Sequence, residues 1–311
     1  MRFAVSPAFK LTLALLVSVL LGAGVALWLD PTGLGPTTEP VSAAVQVIKD
    51  VEYGRVGDVP LYLDVYAPRT WSISPRPAVL MIHGGGWVEG DKRSERELAR
   101  LLVPKGFIAF AINYRLISGA KHRYPAQALD VRRAARWVRL HAHEFGADPD
   151  RLGAVGWSAG GHLAGLLGTT DQTDAEDPNS DEVSSRVDCV IDTAGPTDFT
   201  DESSPPVGPA IAQVIPLLFG RPRSEIPATY RDASPVSHVD ARSAPTLIIH
   251  GTDDPIVPVD QSRRFERALK AAGVEVTFHE IPGEGHGFAQ PANHQRWIDA
   301  MADFLIRHLK P

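Results

Sequence analysis

Gly156-Trp157-Ser158-Ala159-Gly160, followed at once by Gly161-His162, sets a serine between two glycines at the end of an apolar run. The preceding Arg151-Leu152-Gly153-Ala154-Val155 predicts a short buried strand, and His162-Leu163-Ala164-Gly165-Leu166-Leu167 predicts a helix. Strand, sharp turn and helix are the context in which G-x-S-x-G holds its serine on a strained elbow with the hydroxyl exposed. Side chains at the flanking glycines would collide with so tight a turn. The amide of Ala159, at the helix N-terminus, then faces negative charge developing beside Ser158. A glycine-rich surface turn can carry the same letters, so the rest of the chain has to decide.

Three further segments point the same way. Pro77-Ala78-Val79-Leu80-Met81-Ile82-His83 predicts a buried strand running into Gly84-Gly85-Gly86-Trp87. With no β-carbon in the way, the amides of Gly85 and Gly86 can approach an oxyanion, with Ala159 as a third donor. His83 is expected to brace this loop rather than to react. Downstream, Ala244-Pro245-Thr246-Leu247-Ile248-Ile249-His250 predicts a strand that ends in Gly251-Thr252-Asp253-Asp254, a carboxylate at a strand end. Val276 to Ile281 is another strand, and the loop after it, Pro282-Gly283-Glu284-Gly285-His286-Gly287-Phe288, carries a histidine between glycines.

The chain order serine, aspartate, histidine is that of the α/β-hydrolase arrangement and differs from the chymotrypsin and subtilisin orders. A serine hydroxyl is a poor nucleophile at neutral pH, so His286 is expected to take its proton during attack and return it to the leaving group. Either Asp253 or Asp254 orients that histidine, since adjacent side chains at a strand end cannot both face it. Glu284 is expected to cap a turn or face solvent.

His83-Gly84-Gly85-Gly86-Trp87 together with Gly156-Trp157-Ser158-Ala159-Gly160-Gly161 resembles the esterase and lipase branch of the α/β-hydrolase superfamily related to hormone-sensitive lipase. More narrowly, the chain is similar to the small esterases grouped with bacterial feruloyl and acetyl-xylan esterases. Asn113-Tyr114-Arg115, Tyr124-Pro125-Ala126-Gln127, Asp148-Pro149-Asp150-Arg151, Gly195-Pro196-Thr197-Asp198-Phe199 and His250-Gly251-Thr252-Asp253-Asp254 carry that likeness, over about residues 50 to 310. The resemblance implies that the acid is the fourth residue after the histidine of the H-G-x-x-D pattern, here Asp254. It also implies a small-molecule ester substrate, an acyl-enzyme, and no cofactor or metal. Amide hydrolysis on the same three residues, as in an arylformamidase or an exopeptidase, is the alternative, and a non-catalytic binding module on the same fold is a third.

Composition narrows the field further. The chain has 311 residues and a net charge of −6, and no Lys/Arg cluster stands out, so nucleic acid is a poor partner. One cysteine, Cys189, permits no internal disulfide, and its apolar neighbours predict a buried thiol. His141 and His143, two apart on a predicted helix, share no face for a metal. Asp171 to Glu182 is acidic and loosely mimics a calcium loop, but lacks the glycine required at the sixth position, and is expected to be solvated.

Alternation predicts a hairpin over Val51 to Tyr66 turning at Gly57-Asp58, and helices are expected at Arg93 to Val103, Ala126 to Phe145, Asp260 to Ala272 and Asn293 to Leu309. Phe107 to Asn113 and Val187 to Thr193 complete the strands. Strands alternating with helices mean an α/β fold, a mostly parallel, doubly covered sheet with ligands at the strand carboxyl ends. A proline-rich stretch, about residues 197 to 240, is too long for a normal connection. With an apolar helix expected from Ala210 to Phe219, it reads as a modest cap insertion, or else as a patch closing the core.

The first thirty residues are of another kind. Leu11 to Leu29 is uncharged, with Arg2 and Lys10 before it and Asp30 after it, long enough at about 1.5 Å per residue to cross a bilayer. Residues 1–30 are therefore expected to be a transmembrane anchor or signal segment, 31–44 a tether and 45–311 the catalytic domain. Positive charge on the N-terminal side puts that domain on the extracytoplasmic side. The run exceeds a usual signal-peptide core, which favours an uncleaved anchor.

Overall fold

The computed structural model describes residues 45–70, 74–201, 205–287 and 291–310. The expected anchor and tether, residues 1–30 and 31–44, lie outside the described residues, and among the described ones no helix is long and apolar enough to cross a membrane.

Eight strands form one sheet in the order β1-β2-β4-β3-β5-β6-β7-β8. The first two, β1 (Val45–Val56) and β2 (Val59–Pro68), make the expected antiparallel hairpin around Gly57, which sits at φ 54°. From β4 (Ile108–Ile112) onward all pairing is parallel, through β3 (Arg76–Ile82), β5 (Ala147–Trp157), β6 (Cys189–Thr193), β7 (Thr246–Gly251) and β8 (Val276–Ile281). The chain leaves β3 for β4 and then crosses back to β5, so the carboxyl ends of β3 and β5 lie side by side. Such a reversal is where an open α/β sheet leaves a crevice.

Alternation along the strands sorts the core onto two faces. Ala78, Leu80, Ile82, Ile108, Phe110 and Ile112 point to one side, where α2 (Ala126–His141) and α3 (Ala159–Thr169) cover them. Val79, Met81, Ala109 and Ala111 point to the other, beneath α1 (Arg96–Leu102) and α7 (Pro291–Leu309). Leu80 and Phe110 have no exposed surface, and truncating such a residue to alanine costs about 2–5 kcal/mol. Ile248 packs with Phe265 and Leu269 of α6 (Asp260–Ala271).

Two expectations are corrected. The acidic stretch is not simply solvated: Asp174 and Asp177 are buried and bind Arg133 and Arg136 of α2 at 2.7 and 3.0 Å. Buried charges require such partners, and Arg133 and Arg136, three residues apart on α2, supply them. The apolar helix expected over Ala210 to Phe219 is broken into a 3₁₀ turn (Pro209–Ile211) and α4 (Val214–Phe219). Pro216 has no N–H and its ring would strike the carbonyl four residues back, so it is accommodated only in the first turn of a new helix. After α4 comes α5 (Pro227–Asp232).

Candidate active site

Ser158 stands between β5 and α3 with φ 57° and ψ −120°, a left-handed backbone that a non-glycine residue adopts only under strain. Its flanking glycines explain why the turn can close. A β-carbon on Gly156 would lie 2.1 Å from the Gly160 carbonyl oxygen, and one on Gly160 would lie 2.0 Å from that of Ile82. Gly161 is likewise pressed against the Asp192 carboxylate, where a β-carbon would come within 2.3 Å. The elbow is thus wedged against the end of β3.

The glycine loop after β3 lies against the elbow. A β-carbon on Gly84 would sit 3.4 Å from the β-carbon of Ser158. Gly85 and Gly86 follow at φ 107° and 56°, and Trp87 at 62°. Ala159, the first residue of α3, has no intrahelical acceptor for its N–H. His83 braces this loop, as expected: its Nδ1–H donates to the Gly84 carbonyl at 2.7 Å and its ring stacks on Tyr114 at 4.2 Å. Tyr114 in turn donates to the His83 carbonyl at 3.0 Å. Trp87 donates to His162 Nδ1 at 3.2 Å, and His162 Nε2–H donates to the Ala233 carbonyl at 2.7 Å. Burial pushes His83 and His162 down to about 4, so both rings are neutral braces.

Three predicted residues come together in a line. His286 Nε2 lies 2.9 Å from Ser158 Oγ, and His286 Nδ1 lies 2.6 Å from Asp254 Oδ2. All three are buried. The other carboxylate oxygen of Asp254 accepts the amides of Ile256 and Val257 at 2.8 and 2.9 Å. Burial by itself would raise the Asp254 carboxyl, but His286, His250 and their hydrogen bonds outweigh it and hold the group well below the usual carboxylate range. Asp253 is not part of the line; it is exposed and takes the Thr252 hydroxyl at 2.8 Å.

Some features were not foreseen. Glu284 does not face solvent but is 1% exposed, because the loop folds back so that the Asp253 amide donates to the Glu284 carbonyl at 2.9 Å. Trp157, the variable residue of the motif, donates from Nε1 to the His286 carbonyl at 3.2 Å and lies beside the His286 ring. His250 is wholly buried and contacts Asp254 at 3.0 Å. Spacing carries no signal for the Trp157 contact, whereas the H-G-x-x-D pattern already sets His250 four residues before Asp254. From the proline-rich stretch, Val214 approaches the glycine loop, its Cγ2 being 3.5 Å from where a Gly86 β-carbon would stand, and the Gly208 amide donates to the Ile256 carbonyl at 2.7 Å. Phe199 packs on Trp87, and Phe219 stacks on Tyr230. Cys189 is buried, and among the described residues no group of His, Cys, Asp and Glu could hold a metal ion.

A hydroxyl touching an imidazole that is itself pinned by a carboxylate can be deprotonated as it attacks, and a glycine loop beside it can receive the resulting charge. This sheet order, with a serine on a strained elbow after the fifth strand, defines an α/β-hydrolase. Residues 63–269 match the BD-FAE family model, and the chain belongs to that family.

The chain is 35% identical over 260 residues to the esterase LipC of Mycobacterium tuberculosis, covering 81% of this chain and 63% of LipC. It therefore spans somewhat less than two thirds of that relative's length. Among solved structures, a truncated carbohydrate esterase from gut microbiota superposes with a TM-score of 0.74 at 27% identity, covering 89% of this chain and all of that one. A thermophilic esterase from Thermogutta terrifontis, Est2 with propionate bound, gives 0.70 at 30% identity over 88% of this chain and 98% of its own. That esterase is also known phosphorylated by paraoxon.

Proposed function

We propose that the protein is a serine carboxylic-ester hydrolase in which Ser158 is the nucleophile, His286 the general base and acid, and Asp254 the residue that fixes the histidine tautomer. One observation carries this reading: the 2.9 and 2.6 Å contacts that join Ser158, His286 and Asp254 in a buried line. Ser158 attacks an ester carbonyl as His286 takes its proton. The amides of Gly85, Gly86 and Ala159 receive the oxyanion. His286 then protonates the departing alcohol, and water releases the acid from Ser158 by the same steps.

Short acyl groups are the favoured substrates. Val214 of the proline-rich stretch stands next to Gly86, and the stretch packs into the main core, so the acyl side of the oxyanion position is bounded by apolar side chains. The propionate held by the Thermogutta terrifontis esterase agrees in size. No observation favours amide hydrolysis over this. A membrane-tethered, extracytoplasmic location is supported by the uncharged run of residues 11–29 and by Arg2 and Lys10 before it.

Paraoxon, or a fluorophosphonate, provides the test on the full chain. Stoichiometric labelling of wild type and none of Ser158→Ala is expected, with p-nitrophenyl acetate or butyrate turned over faster than the palmitate. A labelled enzyme that prefers palmitate would sink the short-acyl claim; an unlabelled, folded wild type would sink the nucleophile assignment. Faster turnover of N-formylkynurenine than of any ester would replace the ester reading with the amide one.

A further inference from the structure

His250 ends β7 and is wholly buried, four residues before Asp254. Its Nε2 lies 3.0 Å from Asp254 Oδ2 and 2.9 Å from the Val257 carbonyl oxygen, and its Nδ1 lies 2.6 Å from the Ser262 hydroxyl of α6. A carboxylate and a carbonyl are both acceptors, so Nε2 must carry hydrogen. In the neutral ring Nδ1 then accepts the Ser262 hydroxyl. Asp254 Oδ2 therefore receives two ring N–H groups, one from His286 and one from His250, while Oδ1 receives two backbone amides. Every acceptor direction of the carboxylate is filled.

We infer that His250 is a positioning residue of the reaction, a second imidazole that orients Asp254 and shares its charge so that His286 is held in one tautomer without being over-stabilised as imidazolium. The inference rests on the triad reading above. A carboxylate bonded by His286 alone would keep more negative charge and attract an imidazolium beside it more strongly. Asp254, Asp192 on β6 and Ser158 at the elbow face the two imidazoles, Glu284 is buried two residues before His286, and the α6 neighbour, Ser262, is neutral. The Ser262 hydroxyl, by donating into Nδ1, strengthens the opposite N–H as a donor.

The experiment compares kcat and KM of the full chain on p-nitrophenyl acetate across pH, for wild type, His250→Phe, His250→Gln and Ser262→Ala. His250→Phe is expected to lower kcat about tenfold to hundredfold with KM within about twofold, and to move the acidic limb of kcat/KM upward by about one pH unit. Glutamine, whose amide nitrogen can stand where Nε2 stands, should recover most of both effects. Ser262→Ala should shift the limb in the same direction with a loss of about threefold to tenfold. Should the phenylalanine variant fail to fold, the serine variant decides, since it empties only one contact. An unmoved limb, or equal losses in Phe and Gln, would overturn the positioning role and leave His250 as scaffold. Fluorophosphonate labelling of wild type and its loss in Ser158→Ala, run alongside, would keep a failure of the nucleophile assignment distinct from a failure of this one.

Discussion

The two halves of the site are held by different physics. On the Ser158 side, backbone presses on backbone: glycines at 156, 160 and 161 allow contacts that any β-carbon would break, and Ser158 keeps a strained φ of 57° because β3 and α3 leave it no alternative. The Asp254 side has one such close approach, a β-carbon on Gly251 falling 2.2 Å from the Glu284 oxygen, but no described non-glycine residue there takes a positive φ. Position there comes from side-chain hydrogen bonds, four of them on one carboxylate. A steric scaffold fails when an atom is added, whereas a hydrogen-bonded one fails when a partner is taken away.

The comparison can be broken at its chemical centre first. Ser158→Ala should abolish turnover of p-nitrophenyl acetate, a loss of at least about 10⁴-fold, while circular dichroism and the urea midpoint stay near wild type. Asp254→Asn should cost roughly 10⁴-fold in kcat because the histidine loses its tautomer, while Asp253→Asn stays within about twofold. Reversed magnitudes in that pair would move the acid by one residue. Gly160→Ala probes the steric half: a β-carbon 2.0 Å from the Ile82 oxygen should destabilise by about 3–5 kcal/mol in urea unfolding, with activity falling in step.

A smaller effect separates the halves by pH. Burial raises Asp192, between the elbow and His250, to about 6, against a weaker opposing pull from His250. A carboxyl with a raised folded pKa binds protons more tightly when folded, so its contribution is most favourable at low pH and declines from about pH 4 to 6. Asp192→Asn should therefore gain on wild type by about 2–3 kcal/mol between pH 4 and 7, read as urea midpoints. His83 and His162, lowered to about 4 by burial, act oppositely: their stabilisation is present above about pH 6.5 and lost as pH falls toward 4. A stability profile that shows neither slope would mean these groups are less buried than described.

This contrast also explains what the chain revealed in advance. Gly156-Trp157-Ser158-Ala159-Gly160 was legible because steric necessity leaves a residue type at a fixed spacing, and short runs bounded by turn residues placed the strands Pro77 to His83 and Val276 to Ile281 within a residue or so. His286 followed from chain order. Contacts made by long-range packing left no local mark: His250 meeting Ser262 on α6, Trp157 reaching over to the His286 carbonyl, and Asp174 and Asp177 turning inward to the α2 arginines. Glycine at a turn announces a missing side chain. A hydrogen bond between residues 129 positions apart announces nothing.

Trp157 gives the site an optical property of its own. Its indole ring lies 5.1 Å from the imidazole of His286 and is bonded to the same residue's backbone. A protonated imidazole beside an excited indole quenches it, so the emission of this one tryptophan is coupled to the charge on His286. The proton that would shuttle during turnover is thereby visible in the fluorescence of the unlabelled protein, and a Trp157→Phe difference spectrum across pH isolates that signal from the other five tryptophans.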